Sequence, residues 1–289
     1  MICLYHSKDL DGYCSGAIVK RRYPECKLIG WDYKDPIPDM MQFAGEQVIM
    51  IDISFPMEYM DILANFSSSV VWIDHHASAK KDWDEAIASD KYESLGKIKY
   101  VYESGIAACE IGWKHFFRDH PIPEAVLLLG EYDTWRKDDE RRWNTRILPF
   151  QYGMRLICNS PETFPYDIIG PGGMSVVNSI CKNGEMILNY QKEQDKKLMY
   201  SSFVVEFEGL RALCVNVGGA SSNTFLSRWD ENIHDVMIPF HYTGSKWTCS
   251  IYTTKNDIDC SVIAKRYGGG GHKQASGFML DKLPENWKK

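Results

Sequence analysis

No two of the nine cysteines form a Cys-x-x-Cys pair, and an odd number cannot be fully paired, so neither a zinc ribbon nor a complete disulfide framework is encoded. Single thiols from Cys3 to Cys260 read as reduced side chains of a cytoplasmic protein. Long apolar runs are also missing. Ala125-Val-Leu-Leu-Leu129 is far too short to cross a bilayer, and Met1–Tyr5 lacks the basic start and apolar centre of a signal peptide, so no membrane association is expected. Nor is there an excess of basic charge. With 33 Lys+Arg against 39 Asp+Glu the net charge is −6, which argues against a phosphate-tracking surface for long duplex nucleic acid and leaves room for a short anionic substrate. Internal repeats and low-complexity tracts are absent. What remains is an ordinary globular composition, 44% hydrophobic over 289 residues, enough for one large or two ordinary domains.

Three β-rich runs open the chain, Met1–Tyr5, Gln47–Ile51 and Ser69–Ile73, with helix-like segments Tyr13–Arg22 and Met57–Phe66 between them. Near-continuous apolar strands alternating with helices predict an α/β fold with a parallel sheet covered on both faces. Helices are predicted at Ile106–Phe117 and Pro123–Gly130, a loop at Pro161–Gly173, and a long polar helix at Val176–Tyr200 that reads as an interdomain linker. A smaller α/β unit follows, with strands Phe203–Phe207, Leu210–Val217, Val236–Tyr242 and Trp247–Thr254 and helices at Ser221–Trp229 and Ser261–Tyr267. The organisation expected is therefore residues 1–175, a linker helix over 176–200, and a second domain over 201–289.

Each early strand runs into acids or histidines. The first leads to His6, Asp9 and Asp11, the second to Asp52, the third to Asp74-His75-His76. In open parallel sheets ligands sit at the carboxyl ends of strands, so these residues are candidates for one crevice. By itself His6-x-x-Asp9-x-Asp11 is ordinarily a set of solvated loop acids. A charge emerging from a buried strand, as at Asp52 and Asp74, is costly unless it is paired or bound to metal. Carboxylate oxygens mixed with imidazole suit Mn²⁺ or a similar hard divalent ion. Two such ions about 3.5–4 Å apart would clamp a phosphoryl group and activate water for in-line attack. Asp133, in Glu131-Tyr-Asp-Thr-Trp135, is a candidate further ligand, though such an aspartate is more often a cap or turn residue. Near the other end, Gly268-Gly-Gly-Gly271-His272-Lys273 combines backbone freedom with cationic donors for anionic oxygen. It is neither a Walker A loop nor a GxGxxG turn.

Taken together, His6-x-x-Asp9-Leu-Asp11-Gly12, Asp52, Asp74-His75-His76, Asp133 and Gly268–His272 resemble the DHH phosphoesterase superfamily with its GGGGH-type C-terminal domain. Five motifs in the family's order, from residue 6 to residue 277, make the resemblance specific, and the N-terminal motif is most similar to the nanoRNase (oligoribonuclease) branch. The resemblance implies two Mn²⁺ ions, with Mg²⁺ or Co²⁺ as substitutes. His6, Asp9 and Asp52 would hold one, and Asp11, Asp52, His75 and Asp133 the other. It further implies that His76 contacts the substrate phosphate, that Asp74 orients the histidines, and that the glycine-rich domain faces the metals across a cleft, gripping the terminal nucleotide through Gly269, Gly270, Gly271 and His272. Relatives often carry Ser-x-Arg-Ser before the glycine run, where this chain has Ser250-Ile-Tyr252-Thr253. Tyrosine cannot reproduce the bidentate grip of arginine on phosphate. Tyr252 is a candidate for base stacking, with Arg228 or Lys273 supplying the charge.

The activity expected is a metal-dependent phosphodiesterase that shortens short single-stranded RNA or linear dinucleotides to mononucleotides. Alternatives are a 3′,5′-bisphosphate nucleotidase, a cyclic-dinucleotide phosphodiesterase, an exopolyphosphatase and, in another class, a non-catalytic RNA- or nucleotide-binding module. Family II inorganic pyrophosphatases share the metal motifs and lack the glycine run, which ranks them lower. Nothing in the sequence specifies an oligomer.

Overall fold

The computed structural model describes residues 1–287. It divides into two units, Met1–Leu188 and a second beginning at Asn189. The first is an α/β unit built on strands β1 (Ile2–His6), β2 (Lys27–Trp31), β3 (Gln47–Ile51), β4 (Ser69–Asp74) and β5 (Ile98–Tyr102). All pair in parallel, in the order β2-β1-β3-β4-β5. Strands β1, β3 and β4 are therefore neighbours, about 4.8 Å apart. Tyr5 pairs with Ile51 and Ile51 with Ile73, so His6, Asp52 and Asp74 leave the sheet side by side at its carboxyl edge.

Helices α1 (Leu10–Arg22), α2 (Met57–Phe66), α3 (Ala77–Ala88), α4 (Ala108–Phe116) and α5 (Glu124–Asp133) follow in chain order. The single turn α6 (Glu140–Arg142) passes through a π-helical segment, Trp143–Ile147, into α7 (Leu148–Ile157). A large core joins α1, α4, α5 and α7 through Ile18, Trp113, Leu128, Leu129, Phe150 and Met154. A second lies under β1, β3 and β4, with Phe43, Phe55, Met60 and Trp72 fully enclosed. Pro161–Gly173, expected as a loop, carries a 3-10 turn at Tyr166–Ile169, and its Phe164, Ile168 and Ile169 are core residues.

Helix α8 (Met174–Met199) covers the segment expected as a linker helix, and the division between the units falls within it. The second unit carries β6 (Phe203–Phe207), β7 (Leu210–Asn216), β8 (Val236–Tyr242), β9 (Trp247–Tyr252), α9 (Cys260–Arg266), β10 (Gly270–His272) and β11 (Ala275–Leu280). Its mixed sheet runs β10-β11-β9-β8-β7-β6, with β7 and β8 parallel and the other pairs antiparallel.

One expectation is corrected. The helix predicted at Ser221–Trp229 is only a 3-10 turn, Ser222–Phe225, because its run of Ser, Asn and Thr competes locally for backbone hydrogen bonds and Phe225 is drawn into the core. The glycine run is in part a strand. Gly271 pairs with Ser276 in the β10–β11 hairpin at φ 140°, where a Cβ would lie 2.6 Å from the Ser276 Cα, so only glycine fits. The sequence reading also passed over β2, β5 and α3. The two strands are short, partly exposed sheet edges, and α3 is largely polar on its surface. All nine cysteines are buried and unpaired. Among the described residues no helix is long and apolar enough to cross a membrane.

Candidate metal centre

The first unit brings together six residues that the sequence separates by up to 127 positions, from His6 to Asp133. The local chain dictates how each is presented. Asp9 caps α1, accepting the Gly12 N–H at 2.9 Å through Oδ1, and its Oδ2 lies 2.7 Å from His6 Nδ1. Gly12 permits this, because a Cβ there would meet the His6 carbonyl oxygen at 1.9 Å. Asp11 is turned inward on the first turn of α1, where its carboxylate accepts the backbone N–H groups of Ala108 at 2.9 Å and Cys109 at 2.8 Å. Those are the free donors at the start of α4, so the helix end fixes the carboxylate.

Asp52 stands at the centre. Its Oδ2 is 3.6 Å from His6 Nδ1 and its Oδ1 is 3.4 Å from His75 Nε2. It is buried, its backbone is held in the left-handed region at φ 63°, and Oδ2 has no hydrogen-bond donor. A strained backbone and an unsatisfied buried carboxylate oxygen are both costs to the fold, of a kind found at functional sites. His75 Nε2 also lies 3.7 Å from Asp11 Oδ2 and 3.5 Å from Asp133 Oδ2. Asp133 is the last residue of α5. Three sets of ligand atoms lie within 4.8 Å of one another: His6, Asp9 and Asp52; Asp11, His75 and Asp133; and Asp52, His75 and His76.

Electrostatics follow from this crowding. Burial, then the charges of Asp52, Asp133 and Asp9, push the Asp11 carboxyl up, while burial and Asp52 raise Asp133 to about 6. Burial also works against the charge on Asp52, but contacts with His6 and His75 outweigh it and hold the carboxyl down. For His6, burial favours the neutral ring, yet the facing carboxylates of Asp52 and Asp9 raise it to about 10. Protons and divalent ions compete for the same imidazole nitrogens, so a bound cation would take over the neutralising role that these protons play. Carboxylate oxygens with imidazole nitrogens, one buried oxygen lacking a donor, and mutually repelling acids fit a hard divalent ion.

Asp74 is wholly buried at the end of β4. Its Oδ1 accepts the backbone N–H groups of His75 and His76, at 2.7 and 3.1 Å, and pairs with His76 Nδ1 at 2.7 Å. It therefore aligns the His76 ring directly and His75 only through its backbone. Asp32 escaped the sequence reading. It follows β2 directly, is buried, and faces His6 Nε2 at 3.5 Å. An acid emerging from a strand was again the available signal, hidden because β2 itself was not recognised.

Not every candidate converges. Arg228 spends Nη1 on the carbonyls of Met199 and Ser202 and on the Ser202 hydroxyl, so it holds the chain together at the end of α8. Tyr252 is the last residue of β9, half-buried, with its hydroxyl 3.4 Å from the Ala220 carbonyl. In the second unit His272 and Lys273 are exposed at the β10–β11 turn.

The chain is 26% identical to an uncharacterized protein, R106, of Acanthamoeba polyphaga mimivirus, across 98% of this chain and 68% of that one. It is 24% identical to the oligoribonuclease NrnB of Bacillus subtilis, across 97% of this chain and 73% of that one. The pGpG-specific phosphodiesterase PggH from Vibrio cholerae superposes with a TM-score of 0.55 at 12% identity, covering 97% of this chain and 93% of that one. The DHH domain of a protein assigned to a family of ribosomal proteins gives 0.52 at 15% identity, covering 96% and 82%. The chain shares the fold of DHH-domain proteins. The superpositions establish the fold, and the sequence match to NrnB extends over nearly the whole chain. No protein-family model matches.

Proposed function

We propose that this chain is a phosphoesterase of the DHH type, a Mn²⁺-dependent phosphodiesterase that shortens oligoribonucleotides or linear dinucleotides to mononucleotides. The observation that carries the reading is Asp52, whose two carboxylate oxygens each face a different histidine within a ring of further acids. In this reading His6, Asp9 and Asp52 would hold one ion and Asp11, Asp52, His75 and Asp133 the other, with Asp52 common to both sets. Divalent ions bound there would neutralise the phosphoryl oxygens and make water a competent nucleophile near neutral pH.

The chain's own residues supply the rest. Asp74 takes Nδ1 of His76 and raises the imidazole to about 9, so at neutral pH the ring is cationic and its Nε2–H is a donor for a phosphate oxygen. Beside Asp9 a cavity of about 170 Å³ is lined by Lys8 and Arg155, neither of which has a carboxylate partner among the described residues. Two cations without carboxylate partners beside an acidic cluster favour an anionic substrate. In the second unit, Gly269, Gly270, Gly271, His272 and Lys273 lead through β10 to a hairpin turn with the His272 and Lys273 side chains exposed, and we assign them to nucleotide contact. Tyr252 and Arg228, with the internal bonds described above, rank below it. The acidic balance of the chain agrees with a local clamp on a short substrate and no extended track for a long one. Nine buried, unpaired thiols suit a reducing cytoplasm, where we place the protein.

The test is Mn²⁺-dependent hydrolysis across linear dinucleotides, RNA of increasing length, adenosine 3′,5′-bisphosphate, cyclic dinucleotides and polyphosphate. Mononucleotide release fastest from two- to four-mers supports the reading. Preference for the bisphosphate, a cyclic dinucleotide or polyphosphate overturns it, and RNA binding without cleavage of any substrate makes the chain a binding module.

A further inference from the structure

Immediately after Asp133, the chain makes a turn that residue preference alone does not explain. Helix α5 ends with the Trp135 N–H donating to the Tyr132 carbonyl at 3.2 Å and the Arg136 N–H donating to the Glu131 carbonyl at 2.9 Å. This is the paired hydrogen bonding of a Schellman helix terminus, in which the residue after the cap adopts the left-handed conformation and is usually glycine. Here that residue is tryptophan, at φ 56°. A bulky side chain is strained in this region. Burial does not compensate, because Trp135 is 59% exposed, among the most exposed of the chain's large apolar side chains. An outlier of this kind, tolerated at an exposed position, points to function.

The surroundings hold the ring in place. Arg136 is tied to Glu110 and donates from Nε to Thr134 Oγ1 at 2.9 Å, while Thr134 Oγ1 donates to the Gly130 carbonyl at 2.7 Å. The indole of Trp135 meets the buried Trp143 edge-on at 5.1 Å, and Trp143 stacks on Tyr132 at 5.7 Å. Lys137 places its ammonium 3.8 Å from the centre of the Trp135 ring and 4.6 Å from that of Trp143. A cation over an indole draws its electrons and favours stacking of an electron-rich ring on it. Chain geometry limits the Cα atoms of residues 133 and 135 to about 7 Å apart. Asp133 itself lies against His75 in the acidic cluster.

We infer that Trp135 is a stacking platform for a nucleobase of the substrate, the one next to the phosphodiester presented at the Asp11–His75–Asp133 side of the centre. The inference rests on the phosphodiesterase reading above and adds to it a specificity residue outside the metal-ligand set and outside the glycine hairpin. Stacking accepts every base, since each has a π face, so the platform selects nucleotides over other phosphodiesters without selecting a sequence.

The experiment compares wild type, W135F, W135A and W135G on a linear dinucleotide and on the same dinucleotide with either base removed in turn. Loss of one base–aromatic stack predicts that W135A raises KM for the intact dinucleotide about 5- to 150-fold while kcat changes less than about twofold. W135F should stay within about threefold of wild type. One of the two abasic substrates should show no difference between wild type and W135A, because the stacked base is already missing. W135G guards against a folding artefact: glycine suits the turn, so its Tm is expected at or above that of wild type while its KM rises as in W135A. A wild type that cleaves the dinucleotides together with an unchanged KM in W135A and W135G overturns the platform and leaves the phosphodiesterase reading intact. Equal losses on the intact and both abasic substrates overturn it as well. A wild type that cleaves no dinucleotide overturns both.

Discussion

His76 and Asp74 are joined side chain to side chain, Nδ1 to Oδ1 at 2.7 Å, with the carboxylate fully buried and the imidazole partly exposed. The pair raises the imidazole to about 9, chiefly through this hydrogen bond. Because the folded-state value lies above the unfolded value of about 6.5, its stabilising contribution is complete below that pH. It is lost as pH rises through about 9. Asp74→Asn should return the His76 midpoint toward the ordinary range. NMR titration of the metal-free protein reads this directly, and a midpoint that stays near 9 would show that Asp74 is not its cause.

Asp52 faces both His6 and His75. Saturating Mn²⁺, at a hundred times its Kd, stabilises a folded site by about 2.7 kcal/mol, a rise of roughly 5–10 °C in Tm for a unit of this size. Asp52→Ala should abolish that rise together with turnover, leaving the metal-free circular dichroism spectrum unchanged. A variant that still turns over, or still gains the full thermal shift, contradicts the placing of Asp52 in both ligand sets.

Gly12 lies where a Cβ would collide with the His6 carbonyl oxygen. Gly12→Ala is expected to cost about 1–3 kcal/mol by forcing α1 away from β1. Since the same movement displaces His6 and Asp9, activity should fall further than stability alone explains. Denaturant unfolding set beside kcat in native buffer separates the two effects. Full activity in a destabilised Gly12→Ala protein would show that the motif's glycine serves packing only.

His272 sits exposed at the tip of the β10–β11 hairpin, and its side chain contributes nothing to the core. His272→Ala should leave Tm unchanged within about 1 °C, as for other exposed polar sites. KM for dinucleotides should rise much more than KM for a chromogenic phosphodiester that lacks a nucleoside. Equal effects on the two substrates would count against a nucleotide contact.

Much of the centre was legible because its residues announce themselves locally. Asp9 and Asp11 stand beside Gly12 at a helix start, and Asp52 and Asp74 each break out of a buried apolar run, where an unpaired charge is costly. Asp32 and Trp135 were not legible. The first follows a partly exposed edge strand with a weak pattern, and the second becomes unusual only once its φ and exposure are known. The helix expected at Ser221–Trp229 failed for a related reason, since local spacing carries no information about Phe225 being claimed by a distant core.

Residue types and their order were enough to read the α/β class and to single out the acids and imidazoles that the fold gathers, because strand ends and helix caps are short-range features. Which residues meet was decided by the tertiary structure. Order β1-β3-β4 in a parallel sheet sets His6, Asp52 and Asp74 side by side. The start of α4 turns Asp11 inward, and the end of α5 delivers Asp133 and Trp135. Distances of 3 to 4 Å between side chains so far apart in the chain depend on sheet pairing and helix packing, and no local pattern specifies either.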